Sequence, residues 1–155
     1  MSARLALLVM LGAVLFPRTS YAQPGGARLE LSVSPTSISF PSADPEVAPF
    51  MIAPPVVVSV RIRQSSGPWS LTVLANGDLL SGGSTVDIAN VTWTATPAPP
   101  YQGGTLSKTV AQRMASGTGN VNPAQNGSIT FRLANAWTYN AGNYTQTIVF
   151  TLSTP

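Results

Sequence analysis

General acid and base chemistry near neutral pH is carried by His, or by carboxylates paired in a dry pocket. This chain has no His and five carboxylates in 155 residues. Asp44 and Glu46 lie in a Pro-rich stretch, Asp78 follows the turn dipeptide Asn76-Gly77, and Glu30 and Asp87 stand alone. Zinc asks for His or thiolate ligands, and Cys is absent as well. Calcium asks for several clustered oxygens, which only a convergence of Asp78 and Asp87 with backbone carbonyls would supply. One dipeptide, Ser107-Lys108, has the residue types of a hydroxyl nucleophile beside an amine base. Neighbours on a strand point to opposite faces, so the expectation there is a solvated lysine. The residues imply no catalytic site, no cofactor and no metal, and the chain reads as a protein that is not an enzyme.

Recognition then falls to the aromatic side chains. Trp69 and Trp93 sit at inward positions of alternating segments and read as core. Trp137 and Tyr139, in "NAWTYNAG", share a face if that segment is extended. Rings exposed beside Asn and Thr stack on sugars or pack on another protein. The alternative, which is preferred, is that Trp137 closes the open end of the fold.

What must position these groups begins with a leader. Arg4 precedes an apolar run from Leu5 to Phe16, and Ser20 and Ala22 place small residues before Gln23, the pattern of a cleaved secretory signal over residues 1–22. Twelve apolar residues are too few for a bilayer span, which needs about 20, so no membrane insertion is expected. Export to the cell surface or the medium is implied, by way of a periplasm in a Gram-negative cell. The net charge of +3 includes Arg4 and Arg18; without them six cations face five carboxylates. Such a surface has no electrostatic footprint for nucleic acid. Partners are held by shape, hydrogen bonds and apolar contact.

The remaining residues, about 133, suffice for one domain that buries about two-thirds of its unfolded surface. Period two dominates them. In "VVVSVRIRQ", Val56, Val58, Val60 and Ile62 alternate with Val57, Ser59, Arg61 and Arg63. The same pattern sets Trp69 with Leu71 and Val73, Val91 with Trp93 and Ala95, and Ile129 with Phe131 and Leu133. Tyr144, Ile148, Phe150 and Leu152 share a face, with Thr145, Thr147 and Thr151 turned outward. Asn76-Gly77, Gly82-Gly83, Gly103-Gly104 and Asn126-Gly127 predict tight turns. Short strands between turn signals predict an all-β, immunoglobulin-like antiparallel sandwich with Greek-key connections. The expected organisation is extended strands and a Pro-rich segment over residues 23–55, then the sandwich over residues 56–155. Residues 94–119 are the least patterned, with short strands near Leu106 and Arg113. Gly142, two residues before Tyr144, predicts a tyrosine corner, in which the hydroxyl bonds back to nearby backbone.

Two families share these motifs. Trp69-Ser70-Leu71, with Tyr144, Thr147-Ile148, Phe150, Leu152 and Pro155 further on, resembles the WxL-type surface domains of bacteria across residues 56–155. Phe150 stands where that family has a second Trp, and the closing Pro comes one residue early. The resemblance implies a secreted, non-catalytic module attached non-covalently to cell-wall polysaccharide or to other surface proteins, with Trp69, Leu71, Tyr144, Phe150 and Leu152 at the motif positions. Gly142-x-Tyr144 before a Thr-rich strand is also similar to subunits of chaperone-usher pili and the spore coat protein U group. That likeness implies self-association by donor-strand exchange, with Leu29, Leu31 and Val33 of "ARLELSV" as the donor. The same segment also reads as the first strand of its own sandwich, which is favoured. The leading expectation is therefore a structural or adhesive surface module, with a fibre subunit and a carbohydrate-binding module as alternatives.

Overall fold

The computed structural model describes residues 27–140 and 142–154, together with the backbone of Leu7–Met10. The rest of the expected leader, with Ala141 and Pro155, lies outside the described residues. In chain order the strands are β1 (Leu7–Met10), β2 (Arg28–Ser34), β3 (Ser37–Phe40), β4 (Phe50–Ile52), β5 (Val56–Arg63), β6 (Pro68–Ala75) and β7 (Leu79–Ser81). They continue as β8 (Ser84–Val86), β9 (Val91–Thr96), β10 (Gly104–Thr105), β11 (Gln112–Thr118), β12 (Val121–Ala134) and β13 (Ile148–Ser153). A 3-10 turn, Ile88–Asn90, is capped by the Asp87 carboxylate, which accepts from Ala89 N.

Alternation in sequence becomes alternation in burial. Val56, Val58, Val60 and Ile62 of β5 are fully buried, while their neighbours on the other face are exposed or half-buried. The large sheet runs β10-β9-β12-β5-β2, with β4 pairing the far end of β12. The small sheet runs β11-β6-β13, and β7 and β8 form a hairpin. Every pairing is antiparallel. The order β2-β5-β12-β9 against β6-β13 matches strands A-B-E-D against C-F of the immunoglobulin constant-type sandwich, but β11 flanks β6 and, among the described residues, no strand stands beside β13 where that fold has its last strand, G. Among the described residues the core holds no buried polar residue.

Burial of apolar area, about 25 cal/mol per Å², is concentrated between these layers. Trp93, Phe131, Leu133 and Ile129 from the large sheet meet Leu71, Val73, Ile148 and Phe150 from the small one inside a single apolar cluster. Residues 28–52, set apart by composition, are built into the same sandwich: β2 pairs with β5 over seven positions and β4 with β12 over three. Asn135 anchors the Pro-rich link by donating from Nδ2 to Ala43 O (3.0 Å) and Ala48 O (2.9 Å).

Two turn expectations are corrected. Asn126 and Gly127 lie within β12, paired with Ser59 and Val58. Gly127 is needed there for close approach, because a Cβ would stand 2.7 Å from the Tyr101 ring. Gly104 serves Trp93 in the same way, its added Cβ falling 2.6 Å from the indole. Gly82, by contrast, takes a φ of +56° and turns the β7–β8 hairpin.

Candidate functional site

Among the described residues, the residue types singled out for chemistry are brought together in one place. Lys108 Nζ donates to Asp78 Oδ2 at 2.5 Å, and Asp78 Oδ1 accepts from Ile88 N at 3.1 Å. Lys108 and that amide hold the Asp78 carboxyl below the usual carboxylate range, and Asp78 in turn raises the lysine. Both groups therefore stay charged at neutral pH, and a protonated amine is no base. Ser107 Oγ accepts from Thr109 N (3.2 Å) and Val110 N (3.1 Å), which ties the hydroxyl into its own turn. The pair considered as a nucleophile and base is thus a turn hydroxyl and an ion-paired cation. Glu30 is likewise engaged, by Arg63 and by Arg61 at 3.6 Å. Among the described residues no three His, Cys, Asp or Glu converge as metal ligands, and no helix is long and apolar enough to cross a membrane.

Trp137 and Tyr139 do not share a face. Tyr139 N donates to Ala136 O, so the segment is a turn rather than an extended strand. Tyr139 packs partly against the core, where burial pushes its phenol up. Trp137 is 66% exposed, so it does not close the end of the sandwich.

The motif positions gather in the small sheet. Leu71 pairs with Leu152 and Val73 with Phe150 across the β6–β13 ladder. Trp69, Leu71 and Tyr144 are buried, Phe150 nearly so, and Leu152 packs partly against the core. Tyr144 Oη donates to Asn140 O at 3.1 Å, four residues upstream, which is the tyrosine corner. Leu29, Leu31 and Val33 pair with Ile62, Val60 and Val58 of the chain's own β5.

The small sheet has two unlike edges. Beside β11, Tyr101 bridges Ala115 and Gln102 N donates to Met114 O at 2.8 Å, so that edge is covered. Beside β13, among the described residues, no strand pairs on the outer side. Cover thins on this flank: inward Leu29 of β2 is 38% exposed, against 0% for Val58, Val60 and Ile62 of β5. Nearby in sequence, β3 pairs with β1, Leu7 opposite Phe40 and Met10 opposite Ser37.

Pattern reading missed Tyr101, which is buried and donates from its hydroxyl toward Val58 O (3.0 Å) and Gln125 O (2.8 Å). It comes after three prolines within four residues and belongs to no alternating run. No protein-family model, no curated protein and no solved structure matches this chain.

Proposed function

We propose that the protein is an exported, non-catalytic β-sandwich of the cell surface that attaches non-covalently to envelope polysaccharide or to other surface proteins. The observation that carries this reading is the unpaired outer edge of β13, among the described residues, beside a thinly covered apolar flank. A free ladder edge offers main-chain donors and acceptors, and the half-covered inward positions offer sites for alternate side chains of an added strand. The scarcity of charge supports attachment by shape and hydrogen bonding rather than by ion pairing.

The test is sedimentation of the protein, from residue 23 onward, with washed envelopes of its source cell. Co-sedimentation that persists at 1 M salt, where the Debye length is about 3 Å, is the expected result. Protein left in the supernatant, or stripped by salt, overturns the reading.

A fibre subunit is the second reading, favoured by the outer edge of β13, which is unpaired among the described residues and is the kind of edge that an added strand completes. Against the proposed donor stands the seven-position ladder that ties β2 to β5. Size exclusion separates the two readings. Ladders that vanish on deleting residues 23–34 support the fibre, and a stable monomer with an intact N-terminus rejects it.

A further inference from the structure

From Val47 to Val60 the chain carries no charge and a single polar side chain, Ser59. Elsewhere on the outer face of the large sheet the positions are hydroxyls, with Thr94 opposite Thr130 and Thr96 opposite Ser128. β4 breaks that rule. Met51 is buried, and its neighbours Phe50 and Ile52, on the outer face, are apolar as well yet 44% and 53% exposed. A strand apolar on both faces is expected where both faces are covered.

The exposure is gathered in one place. Ala134 of β12 pairs with Phe50, Asn135 N donates to Pro49 O at 2.9 Å, and Asn135 Nδ2 holds Ala48 O. Residues 47–52 and 132–137 therefore run side by side. Between them they carry Val47, Phe50, Ile52 and Trp137, half of the large apolar side chains exposed among the described residues. Single exposed apolar residues are ordinary, whereas a contiguous patch marks an interaction surface.

Charge says what covers it. On one side of Phe50, Arg132 pairs with Ile52 in the ladder and lays its guanidinium over the Phe50 ring, 5.5 Å from the centroid. Its Nε is buried without a hydrogen-bond partner, and it forms no ion pair among the described residues. Arg63 has the same orphaned nitrogen but is paired with Glu30, while Arg28 and Arg113, also without ion pairs, are exposed and leave no buried nitrogen unpartnered. On the other side of Phe50 lies the link that Asn135 anchors through Ala43 O and Ala48 O. It presents Asp44 and Glu46, both exposed and free of ion pairs among the described residues. Cation and carboxylates thus flank the same aromatic ring without meeting inside one chain. An isologous interface needs a patch that supplies both halves of every contact, and this patch does.

We propose that the β4 face is the contact of a closed two-fold dimer of this chain. An axis near Phe50 sets the two Phe50 rings at the centre and lays Ile52 of each copy toward Val47 and Trp137 of the other. The same rotation brings Arg132 to Asp44 and Glu46 of the second copy, twice over. Apolar cores rimmed by polar groups, rich in aromatic residues and Arg, are the usual anatomy of such contacts. A lipid surface fits less well, because anionic headgroups repel the two carboxylates. β13 belongs to the other sheet, so the dimer leaves its edge open and carries two such edges on one particle, which raises avidity for a repetitive surface.

The protein from residue 23 onward, run by sedimentation velocity at about 100 µM, well above a micromolar dissociation constant, is expected to be a dimer and not a ladder. Ile52→Thr should weaken association about tenfold or more with the thermal melt still cooperative. Arg132→Glu alone, and Asp44→Arg with Glu46→Arg together, should each give monomers by like-charge repulsion. Mixing those two variants should restore a dimer containing one copy of each. A monomeric parent, a parent that stays monomeric but floats with phosphatidylcholine vesicles, or charge variants that dimerise alone as well as mixed each overturns the proposal. Envelope co-sedimentation by the monomeric Ile52→Thr protein scores the β13 reading separately.

Discussion

Burial holds the Tyr101 phenol at a pKa pushed up to about 12. The unfolded chain loses that proton near pH 10, so between about pH 10 and pH 12 unfolding releases a proton. Stability is then full below pH 10 and declines as the pH rises through the folded value, with a slope approaching about 1.4 kcal/mol per pH unit. Urea melts across this interval should show the decline in the parent protein, and a flatter profile in Tyr101→Phe. At pH 7 the same substitution should cost about 1–3 kcal/mol, because it removes the single hydroxyl proton that Val58 O and Gln125 O share. Asn135 carries a comparable duty at the opposite end of the sandwich. Asn135→Ala frees Ala43 O and Ala48 O and should cost about 1–2 kcal/mol, with new proteolytic nicks between residues 41 and 49 as its signature. Neither residue was legible in the sequence, since both act on backbone that is distant along the chain.

At the scale of elements, the strands that were legible are those whose two faces see different surroundings. β5, β6, β9, β12 and β13 bury one face, so period two appears in their sequences. The β7–β8 hairpin was legible only in its Gly82-Gly83 turn, because three-residue strands are too short to show a period. Asn126-Gly127 misled for a different reason: the dipeptide permits a hairpin, but the Tyr101 ring requires a glycine at 127 on an otherwise continuous strand. The closing segment shows what a single strand contributes. β13 supplies Ile148 and Phe150 to the core and Tyr144 fastens its approach. Deleting residues 144–155 should therefore abolish the cooperative melt altogether, and a truncated protein that still unfolds in one sharp transition would refute that dependence.

The sandwich from β2 to β13 should unfold as one body, because β2 and β4 complete the sheet that the central strands begin. Composition alone separates residues 23–55 from the sandwich strands after them, since prolines and exposed positions obscure the ladder that β2 and β4 make. Denaturation monitored by the fluorescence of Trp69 and Trp93 should coincide with loss of strand dichroism, and amide exchange should assign β2 and β5 the same opening free energy. Separate transitions would place β2 outside the cooperative unit. Folding should take milliseconds to seconds, as expected where non-local pairing dominates.

The Asp78–Lys108 pair carries a consequence for the environment the protein can tolerate. Each partner moves the other away from neutrality, and neither histidine nor cysteine titrates in the interval between them. From mildly acidic to mildly alkaline conditions this pair keeps both of its charges, so the tie between the Lys108 turn and the Asp78 loop holds unchanged across that interval.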